Sequence, residues 1–161
     1  MRALALGAVF ALAAPAAAAP PRAGTLVPGR SLGGLRLGVS QAAVKAAWGR
    51  NFGVCRGCTE PTWYFNYAAF EPQGAGVGFR AGRVVAVFTL WSPASWRSTD
   101  GLRLGAPRFR VTDRYPRAAR TTCNGYYALT VGTGATRTDF YVANGRLWAF
   151  GLRRPSLPPC R

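Results

Sequence analysis

The 161-residue chain carries 21 basic side chains against five acidic ones and has no histidine. Without imidazole there is no Ser-His-Asp or Cys-His nucleophile, no His-ligated metal centre and no imidazole acid–base relay. The positive charge attracts polyanions, yet Lys45 is the only lysine, and arginine spread through an Ala-, Gly- and Pro-rich chain also matches the composition bias of a GC-rich genome.

Met1-Arg2 followed by the apolar run Ala3–Ala19 reads as a secretory signal peptide over 1–19. Cleavage after Ala18 is favoured over Ala19, which precedes proline. About 143 residues remain, with a net charge of +15, enough for one ordinary domain or two small halves sharing a core. The mature protein is expected to be secreted, free or associated with the cell envelope. Residues 20–33 form an extended Pro/Gly-rich leader.

Gly34-Leu35-Arg36-Leu37-Gly38 then returns 67 positions later as Gly101-Leu102-Arg103-Leu104-Gly105. A long fixed period of this kind points to tandem copies of one unit, here 34–90 and 101–161 joined by a linker at 91–100. In the first copy Ser40 is placed to cap a helix over Gln41–Trp48, with Gly49 as its stop. In the second, Pro107 occupies the Ser40 position, Phe109, Val111 and Tyr115 follow, and Pro116 ends the segment.

Strands are expected at 63–70, at 77–79 and 84–91 around Ala81-Gly82, at 126–131, and at 140–142 and 147–152 around Asn144-Gly145, with loops at 71–76 and 132–136. Asn-Gly between apolar runs is a strong hairpin signal, because both residues accept positive φ. A two-residue turn makes Val142 oppose Leu147 and Tyr141 oppose Trp148. Phe140, Val142, Leu147 and Ala149 then face the core, as do Val77, Phe79, Val84 and Ala86. Asp139, Tyr141, Trp148 and Phe150 line the opposite face, with Gly78, Arg80, Arg83, Val85 and Val87 in the first copy. Aromatics beside arginines are what protein-binding hot spots favour, so Tyr141, Trp148, Arg80, Arg83 and Arg146 are the candidate binding residues.

Four cysteines in an exported chain predict two disulfides, with three possible connectivities. Cys55-Arg56-Gly57-Cys58 follows a helix and runs into Thr59-Glu60-Pro61, the wrong context for a redox pair at a helix start. Cys123 and Cys160 lie too far apart for the second close pair of a zinc site. The preferred pairing is a local Cys55–Cys58 staple and a Cys123–Cys160 bond that ties down the Pro-rich tail. Thiol redox chemistry through the C-x-x-C is the distant alternative. Neither a phosphate loop nor a dinucleotide fingerprint is present. Of the carboxylates Glu60, Glu71, Asp100, Asp113 and Asp139, only Glu60 and Glu71 are close in sequence, and both sit beside prolines. No catalytic residue, cofactor or metal is expected, and no groove-reading motif accompanies the charge to suggest specific nucleic-acid binding.

The Gly-Leu-Arg-Leu-Gly lead, the capped short helix and the following meander with its Gly-Arg hairpin resemble the β-lactamase-inhibitor-protein and BamE (SmpA/OmlA) superfamily, and also exported actinobacterial proteins of unknown function. The resemblance spans about 34–152. It implies an α+β fold of two pseudo-repeats, each a short helix followed by a three-stranded antiparallel meander. Their sheets would join into one curved sheet with the helices on one face. It further implies a non-catalytic module that binds another exported or envelope protein. Electrostatic attachment to an anionic wall polymer or lipid headgroups is the alternative partner. No inhibitory residue of that superfamily maps onto this chain.

Overall fold

The computed structural model describes residues 24–65, 74–90 and 95–160. The expected signal peptide, the start of the leader, the later part of the strand expected at 63–70, the first half of the 71–76 loop and the start of the linker lie outside them. The elements run β1 (Gly24–Val27), β2 (Ser31–Leu32), α1 (Gln41–Trp48), β3 (Gly53–Cys55), β4 (Thr62–Phe65), β5 (Gly74–Arg80), β6 (Arg83–Leu90) and β7 (Trp96–Ser98). They continue with α2 (Phe109–Arg114), β8 (Ala119–Thr122), β9 (Tyr127–Val131), β10 (Arg137–Ala143) and β11 (Arg146–Arg153). Among the described residues this α+β protein has two small helices and one large antiparallel sheet of eight strands, ordered β3-β4-β5-β6-β11-β10-β9-β8.

The helices form where the sequence places them. Ser40 Oγ accepts the Ala43 N–H at 3.2 Å, and Gly49 closes α1 by donating to Lys45. Ser40→Ala should therefore cost about 1 kcal/mol in a urea melt. Pro107 sits one residue ahead of the α2 cap, Arg108, which makes no side-chain capping bond. α2 is correspondingly shorter than α1. Both helices gain their stability from the sheet rather than from propensity: Val44, Trp48 and Val111 join Phe65, Val77, Phe79, Phe140, Val142, Leu147 and Leu152 in one buried cluster.

The repeated pentapeptide has a physical explanation. Gly38 donates to Val84 O at 2.7 Å and Gly105 to Leu147 O at 2.6 Å, so each copy docks on the turn end of its hairpin. Both glycines hold φ near +85°, a region costly for any residue with a Cβ. Leu35 and Leu102 are buried, anchoring the segment from the other side. The turns behave alike as well, with positive φ at Ala81-Gly82 and Asn144-Gly145.

Four features depart from the sequence reading. Among the described residues each helix is followed by four strands of the large sheet, not three, because β3 and β8 form its two edges. The leader contains β1 and β2, and the linker contains β7; β1 pairs with β2 antiparallel and with β7 parallel. These strands are too short to carry a periodic signal, yet they bury Leu26, Leu32 and Trp96 completely. Their rings and chains close the core over α1, where Trp48 meets Trp96 edge-on and donates its indole N–H to Gly33 O at 2.9 Å. β5 also begins at Gly74, inside the expected loop.

The fourth departure changes the faces. Both hairpins carry a β-bulge: Phe79 pairs Val84 but Gly78 pairs Ala86, and Val142 pairs Leu147 but Tyr141 pairs Ala149. Val85 and Trp148 are the extra residues, and an extra residue shifts the alternation by one beyond it. Ala86 and Ala149 therefore turn to the outer face, and Val87 and Phe150 turn to the core. Tyr141 does not oppose Trp148 directly; the two are brought onto the same face by the bulge.

Candidate functional site

The outer face of the sheet, opposite the helices, holds a cleft of about 440 Å³. Its aromatic end is built from the β8–β9 turn, β10 and β11. Tyr126 stands edge-on to Trp148 and to Tyr141, with ring centroids 5.5 and 5.9 Å away, and Tyr141 tilts against Trp148 at 5.8 Å. Tyr64 of β4 and Phe88 of β6 form a second edge-on pair at 6.1 Å. Strand glycines let these rings lie flat. A Cβ at Gly76 would fall 2.3 Å from the Phe88 ring, and one at Gly151 would fall 2.9 Å from the Tyr141 ring. Glycine inside a strand marks such a close approach.

Two disulfide-tied segments wall the cleft. Cys55–Cys58 and Cys123–Cys160 are both formed, as the preferred pairing expected. Cys58 and Cys160 each line the cleft, as do Leu157 and Pro158 of the tail. The tail leaves β11, bonds through Arg154 N–H to Val85 O, seats Leu157 on Val85 and Ala86, and reaches the β8–β9 turn at Cys123. Beneath it lies a buried ion pair. Arg153 Nε donates to Asp139 Oδ2 at 2.8 Å and Nη2 to Oδ1 at 3.3 Å, while Nη1 grips Leu157 O at 2.7 Å. Thr130 Oγ1 donates to Asp139 Oδ1 at 2.6 Å.

The five candidate binding residues fare differently. Trp148 is partly exposed and lines the cleft. Tyr141 lines it too but is only 2% exposed, so it is floor rather than a free contact, because strands on either side and the rings of Tyr126 and Trp148 enclose it. The three arginines lie outside the cleft lining. Arg80 pairs with Glu60, whose hydrogen bond first and charge second hold the guanidinium pKa above its ordinary value. Arg83 and Arg146 donate to the carbonyls of Gly38 and Gly105 at 3.5 and 3.0 Å. They brace the repeated pentapeptide onto the hairpins instead of lining a face with the aromatics.

The sequence reading missed Tyr64, Phe88, Tyr126 and Leu157. The signal available for Phe88 was Gly76, whose missing Cβ makes room for that ring. Away from the cleft, Tyr115 donates its hydroxyl to Asp100. Burial first, then that bond, pushes its pKa well above the usual phenol range. Among the described residues no group of three or more His, Cys, Asp or Glu side chains could hold a metal ion.

No protein-family model matches the chain, and no curated protein sequence does. Two solved structures share its fold. An extracellular protein containing an SCP domain from Bacillus anthracis superposes with a TM-score of 0.56 at 11% identity; 74% of this chain and 44% of that one are covered. A DUF4309 family protein from Bacillus subtilis superposes with a TM-score of 0.51 at 13% identity, over 71% of this chain and 78% of that one. The chain thus spans less than half the length of the first neighbour. At these identities the likeness concerns the fold alone. An extracellular neighbour and two disulfides are consistent with a secreted protein. No helix among the described residues is long and apolar enough to cross a membrane.

Proposed function

We propose that the protein is an exported, non-catalytic binding module that recognises another exported or envelope protein through the cleft on the outer face of its sheet. The supporting observation is the cleft itself: a concave, ring-lined surface whose walls are fixed by two disulfides, with a volume in the range of ordinary ligand sites. Rigid aromatics in a walled depression lose little entropy on binding, which is why interface hot spots favour them. Within this reading the chain is two tandem helix-and-sheet units, as in the β-lactamase-inhibitor-protein and BamE superfamily. The shared docking of the two pentapeptides, the two bulges and the matching hairpin turns support it. No relative supplies the partner.

The alternative is electrostatic attachment to an anionic envelope polymer or lipid, favoured by the exposed arginines on α2 and β8. One of these, Arg120, already stacks on Tyr127 at 4.1 Å. The two readings differ in salt response. Partners recovered from the organism's envelope and culture fluid should stay bound at high salt, and Trp148→Ala should weaken them by about 2 kcal/mol, roughly 30-fold. Arg117→Ala and Arg120→Ala should change little. A steep log–log fall of affinity with salt, shared equally among arginine variants and indifferent to Trp148→Ala, would establish the polymer reading instead.

A further inference from the structure

Building on that reading of the cleft, we infer that its occupant is an extended proline-rich segment with acidic flanks. The first support is the state of the polar groups at the cleft. Thr62 Oγ1 donates to Glu60 O at 2.8 Å, Thr89 Oγ1 accepts the Phe150 N–H at 2.9 Å, and both Glu60 carboxylate oxygens are engaged by Arg80. These side chains serve the fold, so the cleft offers chiefly ring faces, ring edges and the apolar Leu157 and Pro158. A sugar or a charged metabolite needs several convergent polar partners. Proline needs few: its ring is apolar, it has no backbone N–H to satisfy, and its polyproline II conformation is set before binding. Aromatic-lined grooves take such segments on this basis.

The second support is that the face already seats proline-bearing chain, folded through a turn in which the Leu157 N–H donates to Arg154 O at 3.1 Å. The chain's own Arg154-Pro155-Ser156-Leu157-Pro158-Pro159-Cys160 lies across it, with Leu157 on Val85 and Ala86 and its carbonyl held by Arg153. Pro158 of this tail forms part of the cleft wall, so the cleft continues a surface that seats Pro-rich chain. The third support is charge. Arg56, next to the wall residue Gly57, is exposed on a chain whose charge favours acidic partners.

The test is a titration of the intact, ¹⁵N-labelled, disulfide-bonded protein with a synthetic peptide, Glu-Glu-Pro-Pro-Leu-Pro-Pro-Glu-Glu. A second peptide carries alanine for every proline. The inference expects saturable shifts at the Trp148 indole and the Tyr126 amide, at least tenfold weaker binding of the alanine peptide, and loss of the Tyr126 shift in Trp148→Ala and of the Trp148 shift in Tyr126→Ala. Equal binding of the two peptides, shifts that survive both substitutions, or no shift at the cleft at millimolar peptide would each overturn it. If the cleft residues are nonetheless protected by a partner recovered from the envelope, the protein-binding reading stands and only the proline-rich class fails.

Discussion

Asp139→Ala should destabilise the protein by about 3–5 kcal/mol, a large share of the 5–15 kcal/mol that holds a typical domain together. Asp139 is fully buried and Arg153 is 5% exposed, so removing the carboxylate strands a guanidinium away from water. The loss extends further, because the Thr130 hydroxyl donates to the same carboxylate and the Tyr141 hydroxyl lies 3.5 Å from it. Replacing both members of the pair, Asp139→Leu with Arg153→Met, should recover much of the cost, since the penalty comes from the uncompensated charge rather than from a large net gain of the pair. Urea melts of the two single variants and the double variant measure the coupling. A single-variant cost below about 1 kcal/mol would mean that water reaches Arg153 and that the tail does not seal the face.

Removing the Cys123–Cys160 bond by the double change Cys123→Ser and Cys160→Ser should cost about 3–4 kcal/mol on chain-entropy grounds. The bond spans 37 residues, and the restriction it places on the unfolded chain grows with the logarithm of the loop. The corresponding change at Cys55 and Cys58, only three apart in sequence, should cost clearly less. Function should separate from stability here. Without its anchor at Cys160 the tail keeps the Leu157 packing, the Arg153 contact and the Arg154 N–H bond to Val85 O, all near β11, so the far end of one cleft wall loosens. Ligand affinity should therefore fall more in the Cys123/Cys160 variant than in the Cys55/Cys58 variant, measured below the melting point of both. Equal affinity in the two would show that the tail is a staple for the fold and no part of the recognition surface.

Much of the framework is legible in the residues themselves. The returning pentapeptide, Ser40 as a cap, Gly49 as a stop and the Asn144-Gly145 turn each act through local backbone chemistry that a sequence expresses directly, and each appears in the structure at the expected position. The disulfide pairing follows from spacing and context. What escaped depends on contacts between distant segments. β1, β2 and β7 are two to four residues long and exist because they close the core over Trp48, which no local pattern announces. The bulges at Val85 and Trp148 leave no periodic trace, yet each reverses the facing of everything beyond it. That single-residue slip put Phe150 on the wrong face and left Ala149 in the core. It also hid the cleft, since the ring cluster draws on β4, β6, the β8–β9 turn, β10 and β11, spread over some ninety positions of the chain. The arginines misled for a different reason. Arg83 and Arg146 sit beside the hairpin turns, on strands where an aromatic face was expected, but their guanidinium groups reach back to the pentapeptide carbonyls.

The central claim is that recognition occurs on the outer face of the sheet, between the two disulfide-tied walls. It is tested most directly by hydrogen-exchange and side-chain footprinting of the protein bound to a partner recovered from its own envelope or culture fluid. Protection concentrated at Tyr126, Trp148 and the tail around Leu157 and Pro158, with α1 and α2 unchanged, is the predicted result. Protection confined to α2 and β8, with the cleft as accessible as in the free protein, would contradict it.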